Sequence, residues 1–188
     1  MKKIFFILTS LVLFSCLSFH EEDDDIIVWS KDRKLTWNDY RGKPKKRFAA
    51  ASTVYSLGRK IITKNEKIYA QVEAYFYCND SWKKEDWISQ SVLDHEQKHF
   101  DIVELYARRI RKEMSRLKFV SEKDAEEKLD SLYKIENAAM DKYQDQYDDE
   151  TDGSMDGDQQ RKWQKKISEE IAALDAFKST TLLLKIEK

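Results

Sequence analysis

The apolar residues of this chain change their spacing once, between residues 78 and 87, and this change limits the possible folds more than any other feature. Along residues 68–78 the side chains alternate between two faces. Ile68, Val72 and Phe76 face one way, and Tyr69 and Glu73 face the other, which is typical of a half-buried strand. After residue 87 the apolar residues recur every three or four positions, which predicts helices. The sequence therefore predicts an α+β fold, with a small antiparallel N-terminal sheet followed by three helices.

Turn and capping residues indicate where these elements begin and end. Residues 51–62 and 68–78 flank Lys64-Asn65-Glu66-Lys67, which predicts a hairpin. Ser121, with Asp124 three residues later, predicts the N-cap of the second helix. The chain has one Pro and four Gly, which favours long helices over a loop-rich sandwich. The other predicted segments are a strand at 26–29, helices at 87–117, 121–147 and 158–176, a polar loop at 148–157, and a final strand at 180–186.

Residues 1–18 have the pattern of a cleaved signal peptide. Lys2 and Lys3 precede an apolar run that is too short to span a bilayer comfortably. We therefore expect export, to the periplasm, to the cell envelope as a lipoprotein, or to the medium. Cys16 stands where a lipoprotein is acylated, although Phe14 is larger than the usual residue at that place. Residues 19–25 are expected to form an acidic tether, and residues 26–188 a single domain.

The charge balance excludes one class of partner. The chain has 34 basic and 35 acidic residues without a sustained basic stretch, so it lacks the electrostatic footprint of a nucleic-acid-binding protein. Contact with a membrane is expected only through a lipid on Cys16. If Cys16 is removed or acylated, Cys78 is the only remaining thiol, and the domain is then held by its apolar core without a disulfide.

The motif His95-Glu96-Gln97-Lys98-His99 lies within the first predicted helix and matches H-E-x-x-H. Residues four apart share one face of a helix, so both imidazoles can bind a single metal ion. Glu96 is rotated by one position and lies beside the ion, where it can deprotonate a water molecule. The pattern predicts a zinc site for amide hydrolysis, with His95 and His99 as ligands and Glu96 as the general base. Iron or manganese would also fit two histidines and a carboxylate.

A catalytic zinc takes three protein ligands and keeps one position open. The only other histidine is His20, in or beside the predicted signal peptide, so we expect the third ligand to be a carboxylate. Asp101 and Glu104 are turned away from His95 around the helix. The acidic segment at 148–158 is the richest remaining source.

Three motifs of this chain recur together in one known family, and on them the chain resembles an uncharacterised family of secreted bacterial proteins that are labelled zinc-dependent proteases. The motifs are LTWNDYRGKP at 35–44, HEQKHFDI at 95–102, and Tyr147-Asp148-x-x-Thr151 with Gln160 and Trp163. The resemblance covers about residues 26–171. It implies a zincin-like domain at 26–188, with presumed peptide hydrolysis, two histidine ligands and Glu96 as the base.

One departure from that family concerns the third ligand. The family loop commonly reads Y-D-x-x-T-x-H-G, and its His is a plausible ligand, whereas this chain has Gly153 at that position. The third ligand is then expected to be Glu150, Asp152 or Asp156; otherwise the site binds metal weakly.

These observations predict an exported zinc metallopeptidase whose peptide or protein substrate lies extended along an edge of the sheet. Tyr147 is the expected hydrogen-bond donor to the developing oxyanion. The alternative is a catalytically inactive zincin-like binding module of the cell envelope; the missing loop His favours it and the retained Glu96 opposes it. A structural envelope protein is a third interpretation.

Overall fold

A computed structural model describes residues 25–46 and 48–187. The predicted signal peptide at 1–18, Cys16, and all of the predicted tether except Asp25 lie outside the described residues. The described chain has a sheet region followed by three helices, as predicted. Its elements are β1 (Ile26–Val28), β2 (Ala51–Ser52), β3 (Tyr55–Lys64), β4 (Lys67–Tyr77), β5 (Trp82–Lys83), α1 (Gln90–Met114), α2 (Glu122–Thr151), α3 (Gly157–Ala173) and β6 (Thr181–Leu183), with single 3-10 turns at Trp37–Asp39 and Asp175–Phe177.

β4 is the central strand of the sheet and forms a hairpin with β3. Asn65 and Glu66 join the two strands with φ of 50° and 60°, the paired positive values that a two-residue hairpin turn needs. The predicted alternation along β4 is confirmed, because Ala70, Val72 and Phe76 are all buried on one face. β1 and β6 both pair antiparallel with β4, at opposite ends of it.

The first arm of the predicted hairpin is shorter than expected. β3 begins at Tyr55, while Ala51–Ser52 pairs with Trp82–Lys83 as a separate ribbon. The reason lies in residues 53 and 54, whose backbone N–H groups bond to side chains, although the Val54 carbonyl still accepts from the Tyr77 N–H of β4 at 2.9 Å. The Thr53 N–H donates to Glu96 Oε2 at 2.8 Å, and the Val54 N–H donates to Ser81 Oγ at 2.9 Å.

Helix α1 lies at the centre of the molecule and contacts the sheet, α2 and α3. It is therefore buried on more than one face, polar residues included. Glu104 accepts hydrogen bonds from Arg108 and Arg111, each at 2.7 Å, and Asp101 accepts one from Trp29 Nε1 at 2.8 Å. These bonds satisfy charged groups that burial would otherwise penalise.

Helix α2 is longer than predicted. Ser121 caps it as expected, but the helix continues through Thr151, so the expectation of a loop from residue 148 is wrong. Asp156 caps α3, which leaves only residues 152–156 as the connection. Asp152, Gly153 and Ser154 all have positive φ and reverse the chain there. Within the described residues, no helix is long and apolar enough to cross a membrane.

Candidate metal centre

The two histidines of the α1 motif meet a carboxylate from the end of α2. The Nε2 atoms of His95 and His99 lie 3.1 Å apart, and Asp148 Oδ1 lies 3.0 Å from the first and 2.9 Å from the second. Both imidazoles are buried, whereas half of the Asp148 side chain is exposed. One oxygen and two nitrogens therefore converge at the rim of a cleft.

Gln144, one turn before Asp148 on α2, fixes the orientation of His99. Its amide nitrogen donates to the His99 carbonyl at 3.0 Å, so its Oε1 faces His99 Nδ1, 2.7 Å away. Because an amide oxygen only accepts, Nδ1 carries the proton, and in the neutral ring the lone pair is then on Nε2. An acceptor on the outer nitrogen of a metal-binding histidine keeps the ring in the tautomer that can bind the metal.

Tyr147 and Thr151 support His95 from the other side. The Tyr147 ring is fully buried and stacks on the His95 ring with centroids 4.6 Å apart and planes inclined by 19°. Thr151 Oγ1 donates to the Tyr147 carbonyl at 2.6 Å and lies 3.5 Å from His95 Nδ1. Tyr147 and Thr151 lie one turn apart on α2, whereas His95 lies on α1, so the position of the His95 ring depends on the packing of the two helices.

The electrostatics of the three groups are coupled. Burial lowers the pKa of His99, but the hydrogen bond and charge of Asp148, with smaller effects of Glu96 and Gln144, raise it to about 9. Burial works to raise the pKa of Asp148, and the hydrogen bonds from the two imidazoles outweigh it and hold that pKa well below its usual range. The cluster thus stabilises positive charge, and a divalent cation can take the place of a proton.

The geometry of the cluster fits a tetrahedral metal ion. Zinc bonds of about 2.0–2.1 Å at tetrahedral angles place ligand atoms about 3.3 Å apart. The three observed separations, 2.9 to 3.1 Å, need only a small expansion to reach that value. Two imidazoles and one carboxylate are also a ligand set of catalytic zinc sites, which leave the fourth position open.

Glu96 lies beside this cluster and is held by the segment that precedes β3. Its Oε2 accepts hydrogen bonds from the Thr53 N–H at 2.8 Å and from Thr53 Oγ1 at 2.6 Å. Tyr40 in turn bonds Thr53 Oγ1 at 2.8 Å. Among the described residues no partner occupies the other Glu96 oxygen, so it is free to take a proton.

The cluster opens into a cleft of about 780 Å³ between β2, the start of β3, and the ends of α1 and α2. Tyr55 lines this cleft, and its hydroxyl has no hydrogen-bond partner among the described residues. Burial, followed by the charges of nearby carboxylates, raises the pKa of Tyr55 to about 12, so its hydroxyl stays protonated. Those carboxylates belong to Asp141, Asp148, Asp145 and Glu96.

The other residues predicted for the site lie elsewhere. Glu150 accepts from Trp163 Nε1 at 2.8 Å, and Asp156 accepts the backbone N–H groups that begin α3. Asp152 ends α2 and lines the cleft without joining the cluster. The Tyr147 hydroxyl faces the His95 carbonyl, 3.5 Å away, and is buried, so it does not reach the cleft.

Comparison with known proteins adds one match. Residues 77–157 match a family described as a bacterial protein of unknown function (DUF922). The matched segment contains Glu96 and all three members of the cluster, whereas Thr53 and Tyr55 precede it. No curated protein and no solved structure has significant similarity to the chain.

Sequence reasoning did not single out four residues of the site: Asp148, Gln144, Thr53 and Tyr55. A signal for Asp148 existed, because Gln144, Asp148 and Thr151 follow each other at helical spacing once α2 is extended to Thr151. Thr53 and Tyr55 had no such signal, because their position depends on where the first hairpin arm leaves the sheet.

Proposed function

We propose that this protein is a zinc-dependent peptidase. The observation that carries the proposal is the convergence of His95, His99 and Asp148 within about 3 Å of one another, beside a carboxylate that is held in place and has one oxygen free. A purely structural zinc site has four protein ligands and no use for such a base. Three donors and an open cleft instead suit catalysis.

The roles of the side chains follow from their positions. Zinc, when bound by the cluster, polarises the substrate carbonyl and lowers the pKa of water. The free oxygen of Glu96 takes the proton of the attacking water and passes it to the leaving amine. Thr53 keeps the second oxygen occupied, so the carboxylate has one orientation toward the cleft.

The edge of β2 that faces away from β5 is the proposed binding position of the substrate backbone. The Lys84 N–H donates to the Ala50 carbonyl at 2.8 Å, so residue 50 turns its backbone groups toward β5. Backbone groups alternate in direction along a strand, so those of Ala51 and Thr53 point away from β5. The Thr53 N–H accordingly reaches Glu96. A peptide strand added beside Ala51 would thus run directly past the general base.

Tyr55 is the proposed donor to the oxyanion, in place of Tyr147. It lies two residues after Thr53, lines the same cleft as the cluster, and keeps its hydroxyl proton because its pKa is about 12. A neutral O–H without another partner can donate to the carbonyl oxygen as negative charge develops on it.

The test is hydrolysis of a fluorescence-quenched peptide library by the zinc-loaded full-length chain. Replacing Glu96 with Gln should lower kcat by at least about 100-fold, since general-base catalysis contributes about that much. Glu169 on α3 is exposed and distant, so Glu169→Gln is the matched control and should keep full activity. Equal activity of the two variants would refute the role of Glu96.

Replacing Tyr55 with Phe should lower kcat by at least about 10-fold and leave zinc content unchanged, because only the oxyanion donor is removed. Tyr69→Phe on β4 is the control. A zinc-free but folded wild-type protein would favour the catalytically inactive binding module instead.

A further inference from the structure

Three exposed large apolar side chains meet at the cleft. Among the large apolar residues that the structure describes, Phe48 is 87% exposed, Met155 68% and Trp87 47%, and all three line the cleft that contains the cluster. Exposed groups of this size are costly in water, and when they gather at a concave site they are typical of a binding surface.

Two of these residues form a defined feature. The rings of Phe48 and Trp87 meet edge to face, with centroids 5.4 Å apart and planes inclined by 67°. The Lys84 ammonium lies 4.3 Å from the centroid of the Trp87 ring, so this ring is held from a second side. We call Phe48 and Trp87 the aromatic rim.

The aromatic rim continues directly into the edge of β2. Phe48 precedes Ala49, Ala50 and Ala51, which all line the cleft with small side chains; Ala49 and Ala50 are half-buried and Ala51 is buried. A strand that pairs with this edge would project alternate side chains to one face, where the rim lies within reach. The continuity of rim and strand edge points to an extended peptide as the occupant.

The charge of the cleft narrows the choice of peptide. Five carboxylates line it, whereas no Lys or Arg among the described residues does; they belong to Asp86, Glu96, Asp145, Asp148 and Asp152. One divalent cation offsets only part of this negative charge. Acidic peptides are therefore repelled, and neutral or basic peptides are attracted.

We propose that the aromatic rim is a specificity subsite, which selects an extended, non-acidic peptide by one bulky apolar side chain. This inference rests on the proposed peptidase function. It concerns binding, however, so it can be tested apart from hydrolysis.

The experiment selects peptides from a randomised, capped hexapeptide library on the zinc-loaded full-length Glu96→Gln protein, which suppresses turnover. The affinity of the most tightly bound peptide is then measured for two further proteins in the same background: the double variant Phe48→Ser with Trp87→Ser, and the control Ile135→Ser. Ile135 on α2 is 65% exposed but does not line the cleft. Thermal unfolding verifies that each variant is folded.

We expect the selected peptides to share one aromatic or large aliphatic residue and to lack Asp and Glu. The Phe48/Trp87 double variant should bind the best peptide at least about 10-fold more weakly, because burial of one such side chain contributes about that factor. Ile135→Ser should bind it unchanged. No apolar enrichment, no recovered peptide, or equal binding by the double variant and the control would overturn the subsite.

Incubating the selected peptides with the wild-type protein separates this proposal from the peptidase. Apolar preference without cleavage would support the subsite and refute the hydrolysis. Cleavage without apolar preference would refute the subsite alone.

Discussion

Replacing Gln144 with Leu tests whether the cluster of His95, His99 and Asp148 binds a metal ion. Gln144 is buried and makes two hydrogen bonds to His99, at 2.7 Å to Nδ1 and at 3.0 Å to the carbonyl. Leu is of similar size and makes neither bond. The His99 ring then loses the partner that keeps its Nε2 lone pair directed at the cluster.

The expected loss follows from these two bonds. Removal of the hydrogen-bond partner of a metal-binding histidine costs about 10- to 100-fold in metal affinity, which is about 1.4–2.7 kcal/mol at 25 °C. Without metal, the unpaired Nδ1–H and the weakened carbonyl bonding of His99 should lower the free energy of unfolding by about 1–3 kcal/mol. The zinc affinity and the free energy of unfolding without metal should therefore both fall.

The assay is zinc titration against a competing chromophoric chelator, followed by urea unfolding in EDTA. Gln146→Leu is the matched control, because Gln146 lies on the same helix, is exposed, and bonds Glu150 rather than a member of the cluster. An unchanged zinc affinity in Gln144→Leu, or the same loss in Gln146→Leu, would refute the inference that Gln144 orients a ligand.

Three further predictions concern the cluster and the fold. Asp148→Asn should weaken zinc binding by more than about 100-fold, since it removes a ligand, whereas the neighbouring exposed Asp149→Asn should not; equal affinities by titration would contradict this. Burial works to raise the pKa of Asp39, but its hydrogen bonds, first that from Arg33, hold this pKa below its usual value. Ionised Asp39 therefore stabilises the folded protein above about pH 4, and this stabilisation is lost as the pH falls through the folded pKa. In urea unfolding, the free energy of unfolding of the wild type should fall by at most about 1 kcal/mol relative to that of Asp39→Asn between pH 6 and pH 3, because Arg33 is part-exposed. A difference between the two proteins that does not change with pH would contradict this. Phe100→Ala should lower the free energy of unfolding by about 3–5 kcal/mol, and a loss below about 1 kcal/mol would contradict the core described above.

The sequence predicted the parts of the fold that depend on local spacing. The alternation along β4 and the cap at Ser121 are both confirmed, because each depends on residues a few positions apart. The ribbon of β2 and β5 was not predicted, since residues 51 and 83 meet only through tertiary contacts. Neither does local pattern indicate that Thr53 breaks the first hairpin arm to hold Glu96.

The end of α2 shows why the third member of the cluster was missed. The polar run after Tyr147 has the composition of a loop, yet packing against α1 keeps it helical to Thr151. As a helix, it brings Gln144 and Asp148 to one face, opposite the two histidines. The expectation of a carboxylate from this segment remains a prediction, and Asp148 is the residue whose position fits it.

The most direct test of the proposed metal centre is the zinc content of the purified full-length chain, measured by mass spectrometry after dialysis. We expect one zinc per chain in wild type and in Asp149→Asn, and almost none in His99→Ala, with all three proteins folded by circular dichroism. A folded wild-type protein without zinc, or a His99→Ala protein that retains it, would contradict the account.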